Sequence, residues 1–91
     1  MRFNKNQDLT CSKIIDEYSE KALADIIWKF GEEEESRRIA KFIVNRRASK
    51  IFQDTIDLAE VIKTAKRKKT KKHPATKTFQ ALRMAVNSEL D

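Results

Sequence analysis

The chain has 91 residues, 37% of them charged, a net charge of +6 at neutral pH, and one glycine, one proline and one cysteine. A chain this short forms one small domain, which buries only about 60 to 65% of the surface exposed on unfolding, so a second domain is excluded. The lone cysteine has no internal disulfide partner, and no apolar run approaches the ~20 residues that span a bilayer. Because residues 4 to 8 are polar and resemble no secretory signal, we expect a cytoplasmic protein with no membrane contact.

The first third of the chain predicts two helices. Residues 1 to 9 lack apolar periodicity, so we expect an extended lead-in before Thr10 or Ser12 caps a short first helix. Ser19 caps a second helix, which Gly31 is predicted to end in the left-handed conformation. Its apolar residues follow the spacing of one buried stripe: Leu23, Ile26, Ile27 and Phe30.

The middle of the chain predicts a third and a fourth helix. Four glutamates, residues 32 to 35, are expected to open the third helix, where its positive end favours carboxylates. That helix is expected to end near residues 47 to 50. Asp54 or Thr55 then caps the fourth helix. Its buried face is predicted from apolar residues at helical spacing: Ile56, Leu58, Ala59, Val61, Ile62 and Ala65.

A lysine-rich segment, residues 66 to 72, follows the fourth helix and is called the basic loop below. No carboxylate within it offsets the charge, so self-repulsion is expected to keep it solvated and mobile. Its positive residues are candidates for contact with nucleic-acid phosphates: Lys66, Arg67, Lys68, Lys69, Lys71 and Lys72. Lysines hold the backbone without reading its sequence, and counterion release makes such binding salt-dependent. The alternative is a solvated linker that keeps the protein soluble.

The last helix is predicted to begin at Pro74, because proline suits a first helical turn. Its apolar face is predicted from residues at helical spacing: Phe79, Leu82, Val86 and Leu90. His73 is expected to cap this helix. As the only histidine, without a neighbouring cysteine or histidine cluster, it does not indicate a metal site. The composition and these patterns together predict an all-α fold, a compact bundle of four to five short helices.

Three segments carry a family resemblance: Met1-Arg2-Phe3 at the start, GEEEESRRIA over residues 31 to 40, and HPATKTFQALRMAVNSEL over residues 73 to 90. They resemble the MRM/MRF, GEE-xxx-RRIA and HPATRTFQALR-xx-VN-x-EL segments of MraW-type S-adenosylmethionine-dependent methyltransferases, which methylate the N4 of a cytosine in small-subunit (16S) ribosomal RNA. Glu34 and Glu35 depart from that pattern, replacing an Arg/Lys and an aromatic residue. The resemblance spans nearly the whole chain.

The resemblance implies that residues 1 to 91 are a single helical insert, a substrate-recognition domain of a larger α/β methyltransferase. The implied partners are small-subunit ribosomal RNA and the catalytic domain, which the chain lacks and which would bind S-adenosylmethionine. A cofactor site needs a glycine-rich turn after a strand, and one glycine does not supply it. We therefore assign no catalytic, cofactor-binding or metal residue, and expect the chain alone to be inactive.

Several surface residues keep two interpretations. His73, Arg83 and Asn87 are weaker RNA candidates on the segment that resembles the family, the alternatives being a cap, an intrahelical pair or a contact with the catalytic domain. Trp28 and Phe52 either stack on a base or pack locally, and Trp28 has docking against the catalytic domain as a third option. A second basic surface comprises Arg37, Arg38, Arg46 and Arg47, although pairing with Glu33 and Glu34 at helical spacing would occupy the first two.

The alternative for the whole chain is a free-standing basic helical module that binds nucleic acid or protein without enzymatic activity. A helix-turn-helix around Gly31 is disfavoured, because the four glutamates would meet the anionic groove.

Overall fold

The computed structural model describes the backbone of residues 5–68 and 73–90, and the side chains of residues 11–68 and 73–88. These residues form five helices: α1 (Lys5–Glu17), α2 (Glu20–Gly31), α3 (Ser36–Ser49), α4 (Thr55–Ala65) and α5 (Thr76–Leu90). Within the described ranges there is no strand, so the predicted all-α bundle is confirmed.

Helix α2 lies at the centre of the bundle. It packs most extensively on α5 and α3, while α4 packs on α3 and α1 on α5. The fully buried aliphatic side chains come from all five helices: Ile14, Leu23, Ile27, Ile39, Ile43, Ile62, Leu82 and Val86. Cys11 is also buried and belongs to this core. The stripes predicted from helical spacing therefore meet in one core.

Two predicted helix caps are confirmed. The N–H of Ala22 donates to Ser19 Oγ at 3.1 Å at the start of α2. The N–H of Asp57 donates to Asp54 Oδ1 at 2.8 Å at the start of α4. Each cap satisfies a backbone donor that the first helical turn leaves without a partner.

Three predicted features were wrong. Helix α1 begins at Lys5, so residues 5 to 9 are helical and not extended, since a helix can begin before its apolar periodicity does. Helix α5 begins at Thr76, and Pro74 lies in the preceding turn. Ile56 is 72% exposed, because the first turn of α4 carries it away from the α3 contact.

The end of α2 also differs from the prediction. Glu32, not Gly31, takes the left-handed conformation, with φ of 53°. The N–H of Glu32 donates to the Trp28 carbonyl at 2.9 Å and that of Glu33 to the Ile27 carbonyl at 3.4 Å, which closes the helix end. Gly31 is instead required by packing, because a Cβ atom there would overlap the Lys77 carbonyl oxygen of α5.

None of the helices in the described ranges is both long and apolar enough to cross a bilayer.

Candidate nucleic-acid interface

The turn between α2 and α3, residues 32 to 35, meets the start of the basic loop; it is called the acidic turn below. Glu33 Oε1 lies 2.5 Å from Lys66 Nζ, and the two side chains are only 3% and 6% exposed. Glu35 Oε2 lies 3.8 Å from the same ammonium group. Glu33 Oε2 also accepts the N–H of Glu35 at 3.0 Å. The first lysine of the basic loop is therefore enclosed by carboxylates.

The next two residues of the basic loop are also held by the acidic turn. Lys68 Nζ donates to Glu34 at 2.8 Å, in a pair that is about two-thirds exposed. The backbone N–H groups of Arg67 and Lys68 donate to Glu35 at 2.9 and 3.4 Å. The hydrogen bond from Lys68 lowers the pKa of the Glu34 carboxyl, and that from the Arg67 backbone lowers the pKa of Glu35. Both contacts thus favour the charged carboxylate.

These contacts correct two expectations. The four glutamates do not open α3, which begins at Ser36, but form the connection before it. Residues 66 to 68 are not a free, self-repelling segment, because carboxylates more than thirty positions away offset their charge. The physical reason is that the Lys66 ammonium group is buried, and a buried charge needs a partner of opposite charge.

The candidate residues of the basic loop therefore differ in how accessible their positive groups are to a phosphate. Lys66 directs its ammonium inward to Glu33, and a phosphate would reach it only if that ion pair opened. Arg67 and Lys68 are exposed. Lys69, Lys71 and Lys72 lie outside the described residues. Phosphate contact by this loop stays a prediction.

His73 caps the start of α5, as predicted. The N–H of Ala75 donates to His73 Nδ1 at 3.1 Å, and the N–H of Thr76 donates to the His73 carbonyl at 3.0 Å. Because Nδ1 accepts this bond, a neutral imidazole carries its proton on Nε2. His73 borders a groove of about 320 Å³ between α4 and α5, together with Ile56 and Phe79.

Arg83 and Asn87 lie one turn apart on an exposed face of α5. His73 precedes Thr76, the first residue of α5, and Arg83 lies seven positions beyond Thr76, a helical rise of about 10 Å. The structure therefore brings Arg83 and Asn87 together but places His73 before the start of the helix.

The predicted pairing of Arg37 and Arg38 with Glu33 and Glu34 was wrong, because those glutamates face Lys66 and Lys68. Arg38 instead donates to the Ala65 carbonyl at 2.5 Å, with its guanidinium 4.8 Å from the Phe42 ring centre.

The two later arginines of α3 also make structural contacts. Arg46 donates to both carboxylate oxygens of Asp57, at 2.7 and 2.6 Å, and its guanidinium lies 5.0 Å from the Phe52 ring centre. Arg47 donates to the Ile15 carbonyl at 2.9 Å. Phe52 is half-buried against the core. Of the four α3 arginines, Arg37 is the one whose side chain is fully on the surface.

The Arg46–Asp57 ion pair should make the free energy of unfolding depend on pH in the acid range. Hydrogen bonds from Arg46 hold the pKa of Asp57 below its ordinary value of 3.8. The pair therefore stabilises the folded state fully above about pH 5, and this contribution is lost as the pH falls through 3.8 and then the lower folded-state pKa. Urea unfolding followed between pH 7 and 3 should show a shallower acid loss in Asp57→Asn than in the parent chain.

The matched control is Arg46→Gln, which deletes the same ion pair from the other side. It should also reduce the acid loss, but less than Asp57→Asn does, because the N–H of Gln53 and the charge of Lys50 still lower the pKa of Asp57. If both variants lose as much unfolding free energy between pH 7 and 3 as the parent chain does, the ion pair adds nothing to pH-dependent stability.

A groove that the sequence did not predict lies between α2 and the start of α3. It measures about 530 Å³ and brings together Trp28, Arg37 and Arg67. The sequence indicated only that Trp28 falls off the buried stripe of α2, and the structure gives that indole as 58% exposed. Its arginine neighbours come from a different helix and from the basic loop, so no local spacing could predict them.

Within the described ranges, no three histidine, cysteine, aspartate or glutamate side chains are grouped as a metal site would require.

Together, the fold and surface define a small all-α domain in which the carboxylates of the acidic turn hold the start of a basic loop. The MraW methylase family model matches residues 1–91, and the chain belongs to this family. Among curated proteins, it is similar to ribosomal RNA small subunit methyltransferase H of Synechocystis sp., with 52% identity over 93 residues, and of Treponema denticola, with 49% over 94 residues. The protein of the same name from Fusobacterium nucleatum is 45% identical over 91 residues.

These alignments cover 99 to 100% of this chain but only 29 to 30% of each relative. The chain thus spans less than a third of the length of the curated relatives that it matches.

Proposed function

We propose that this chain is the helical insert of a small-subunit ribosomal RNA methyltransferase, and that it holds the RNA while a separate catalytic domain transfers the methyl group. The observation that carries the proposal is the family match over the whole chain, together with relatives more than three times its length. The parent enzyme would use S-adenosylmethionine and methylate the N4 of a cytosine. Residues 1 to 91 alone would bind no cofactor and transfer no methyl group.

Methyl transfer to an exocyclic amine determines how such an insert must position the RNA. The amine must point at the sulfonium methyl of the cofactor, so the target cytosine must be unpaired or extruded from its helix. A domain that grips the flanking backbone holds the RNA in this geometry. Phosphate contacts position nucleic acid without reading bases, which suits a lysine-rich loop.

The contacts of the acidic turn support two different roles for residues of the basic loop, anchoring the loop and contacting the RNA. Lys66 anchors the loop through Glu33, whereas Arg67, Lys68, Lys69, Lys71 and Lys72 would face the RNA. Anchoring lowers the ordering cost on binding, since residues 66 to 68 already have fixed contacts. His73, Arg83 and Asn87 would contribute secondary contacts from α5.

Charge reversal tests this proposal directly. Lys69→Glu, Lys71→Glu and Lys72→Glu combined should weaken binding to labelled single-stranded RNA at least tenfold at low salt. The plot of log affinity against log salt has a negative slope, and this slope should become shallower by about two to three, because three phosphate contacts are lost. Fluorescence anisotropy at several salt concentrations measures both quantities.

The matched control reverses three exposed lysines elsewhere: Lys13, Lys21 and Lys41. It gives the same net charge, so an equal loss in both triple variants would indicate a general charge effect and overturn the assignment to the basic loop. Methyl transfer by residues 1 to 91 with labelled S-adenosylmethionine would contradict the insert role.

A further inference from the structure

The groove beside Trp28 combines features that nucleic-acid sites use. Trp28 presents an indole that is 58% exposed on α2. Exposed aromatic faces are platforms on which unpaired bases stack with little dependence on sequence. Arg37 of α3 and Arg67 of the basic loop line the same groove, and both are exposed. A planar guanidinium binds a phosphate through two parallel hydrogen bonds.

We propose that this groove binds one unpaired nucleotide of the RNA, with its base stacked on Trp28 and its phosphate between Arg37 and Arg67. The proposal rests on the proposed function, which supplies the RNA, and adds a defined nucleotide site to it. A volume of about 530 Å³ accommodates a nucleotide, since small-molecule sites span roughly 300 to 1,000 Å³.

The carboxylates lining the groove are compatible with an anion at its arginine end. Glu34 is paired with Lys68 at 2.8 Å, and Glu35 accepts the backbone N–H groups of Arg67 and Lys68. Their negative charge is therefore partly offset. Asp25 also lines the groove and lies one helical turn from Trp28 on α2. The negative charge of Asp25 repels phosphate, which favours the orientation with the base toward α2 and the phosphate toward the arginines.

The contact between Arg67 and the acidic turn also orders this site. The Arg67 backbone is held by Glu35 at 2.9 Å, so its position beside the groove is fixed even though its side chain is exposed. The acidic turn thus links the basic loop to the groove, and a strand of RNA following the loop would pass Trp28.

The lining favours a nucleotide over a protein surface. Arginines and carboxylates surround the indole, whereas a protein dock presents a contiguous apolar patch. The other large exposed apolar residues come from different segments: Ile51, Ile56 and Met84.

Because Trp28 is the only tryptophan in the chain, its fluorescence reports on this groove alone. Titration with single-stranded octacytidylate should quench its emission in a saturable manner, while an RNA duplex of equal length should not. Free N-acetyltryptophanamide with the same oligonucleotide corrects for absorption and collisional quenching. Anisotropy of labelled octacytidylate follows binding independently.

Trp28→Leu should weaken octacytidylate binding by about five- to hundredfold, the range of one lost base stack. Arg37→Gln and Arg67→Gln should each weaken it several-fold, whereas Lys13→Gln, an equal charge change on the exposed surface of α1, should have a smaller effect. Circular dichroism of each variant checks that the helices are retained.

Two outcomes distinguish this site from the function it rests on. Binding seen by anisotropy without any change in Trp28 emission overturns the nucleotide site and leaves the basic loop as the candidate RNA contact. If the oligonucleotide fails to bind at low salt even to the unmodified chain, the proposed RNA-holding function is contradicted, and the groove site with it.

Discussion

Glu33→Ala should lower the free energy of unfolding by about 3 kcal/mol, because it removes the nearest carboxylate from the buried Lys66 side chain and leaves Glu35, 3.8 Å away, as the remaining one. The Lys66 side chain is only 6% exposed, and Glu33 Oε1 lies 2.5 Å from its Nζ. The same substitution removes the acceptor for the Glu35 N–H. Since small domains are stable by only about 5 to 15 kcal/mol, this loss would remove a large fraction of the total stability.

Two controls isolate the buried pair. Glu34→Ala deletes the neighbouring pair with Lys68, which is about two-thirds exposed and screened by water, and should cost far less than Glu33→Ala. Glu33→Leu combined with Lys66→Met removes both charges and should recover much of the stability lost in Glu33→Ala, since apolar replacement of a whole buried pair is often nearly neutral. Urea unfolding monitored by circular dichroism gives all three values. If Glu33→Ala and Glu34→Ala lower the free energy of unfolding equally, the burial of the Glu33–Lys66 pair does not increase its contribution to stability.

The buried pair also explains how the basic loop is presented. Glu33 belongs to the connection between α2 and α3, and Lys66 directly follows α4. Their contact joins two connections at one point of the bundle, from which Arg67 and Lys68 project outward. The double variant Glu33→Leu, Lys66→Met thus keeps the core but weakens the link between the acidic turn and the loop, which then depends on the contacts of Arg67 and Lys68 with Glu34 and Glu35.

The helices were predictable because their signals are local. Leu23 and Ile27 recur at helical spacing and are both fully buried, and the polar side chains of Ser19 and Asp54 cap α2 and α4. A period of 3.6 residues and a short cap depend only on neighbours in the sequence. His73 was predictable as a cap for the same reason.

The candidate site was less predictable because its contacts are long-range. Local spacing suggested that Glu33 pairs with Arg37, whereas its partner Lys66 is thirty-three positions away. The groove at Trp28 likewise depends on Arg67, which belongs to another connection. Pairing rules within one helix do not describe contacts that form only when helices pack, and a domain this small places many of its charges at such contacts.

Gly31→Ala should destabilise the domain by about 2 kcal/mol, although glycine-to-alanine changes inside helices usually stabilise. Gly31 has no positive φ and lies in the last turn of α2, where alanine would gain about 0.5 to 1 kcal/mol from backbone entropy alone. The opposing effect is steric, because a Cβ atom would overlap the Lys77 carbonyl oxygen and lie 3.0 Å from Ala81 Cβ. Overpacking of this kind typically costs 1 to 3 kcal/mol, occasionally more.

The sign of this change decides whether α5 packs directly on Gly31. Urea unfolding of Gly31→Ala should show a lower midpoint, whereas a peptide of residues 19 to 32 should gain helix content from the same substitution, since α5 is absent. Ala81→Gly in the Gly31→Ala background should restore little stability, because the Lys77 oxygen belongs to the backbone and moves only with α5. An increase in stability of the whole chain would mean that α2 and α5 are farther apart than described. The destabilisation expected here follows from their close approach, which also sets Lys77 Nζ 3.5 Å from the Glu32 carbonyl of the acidic turn.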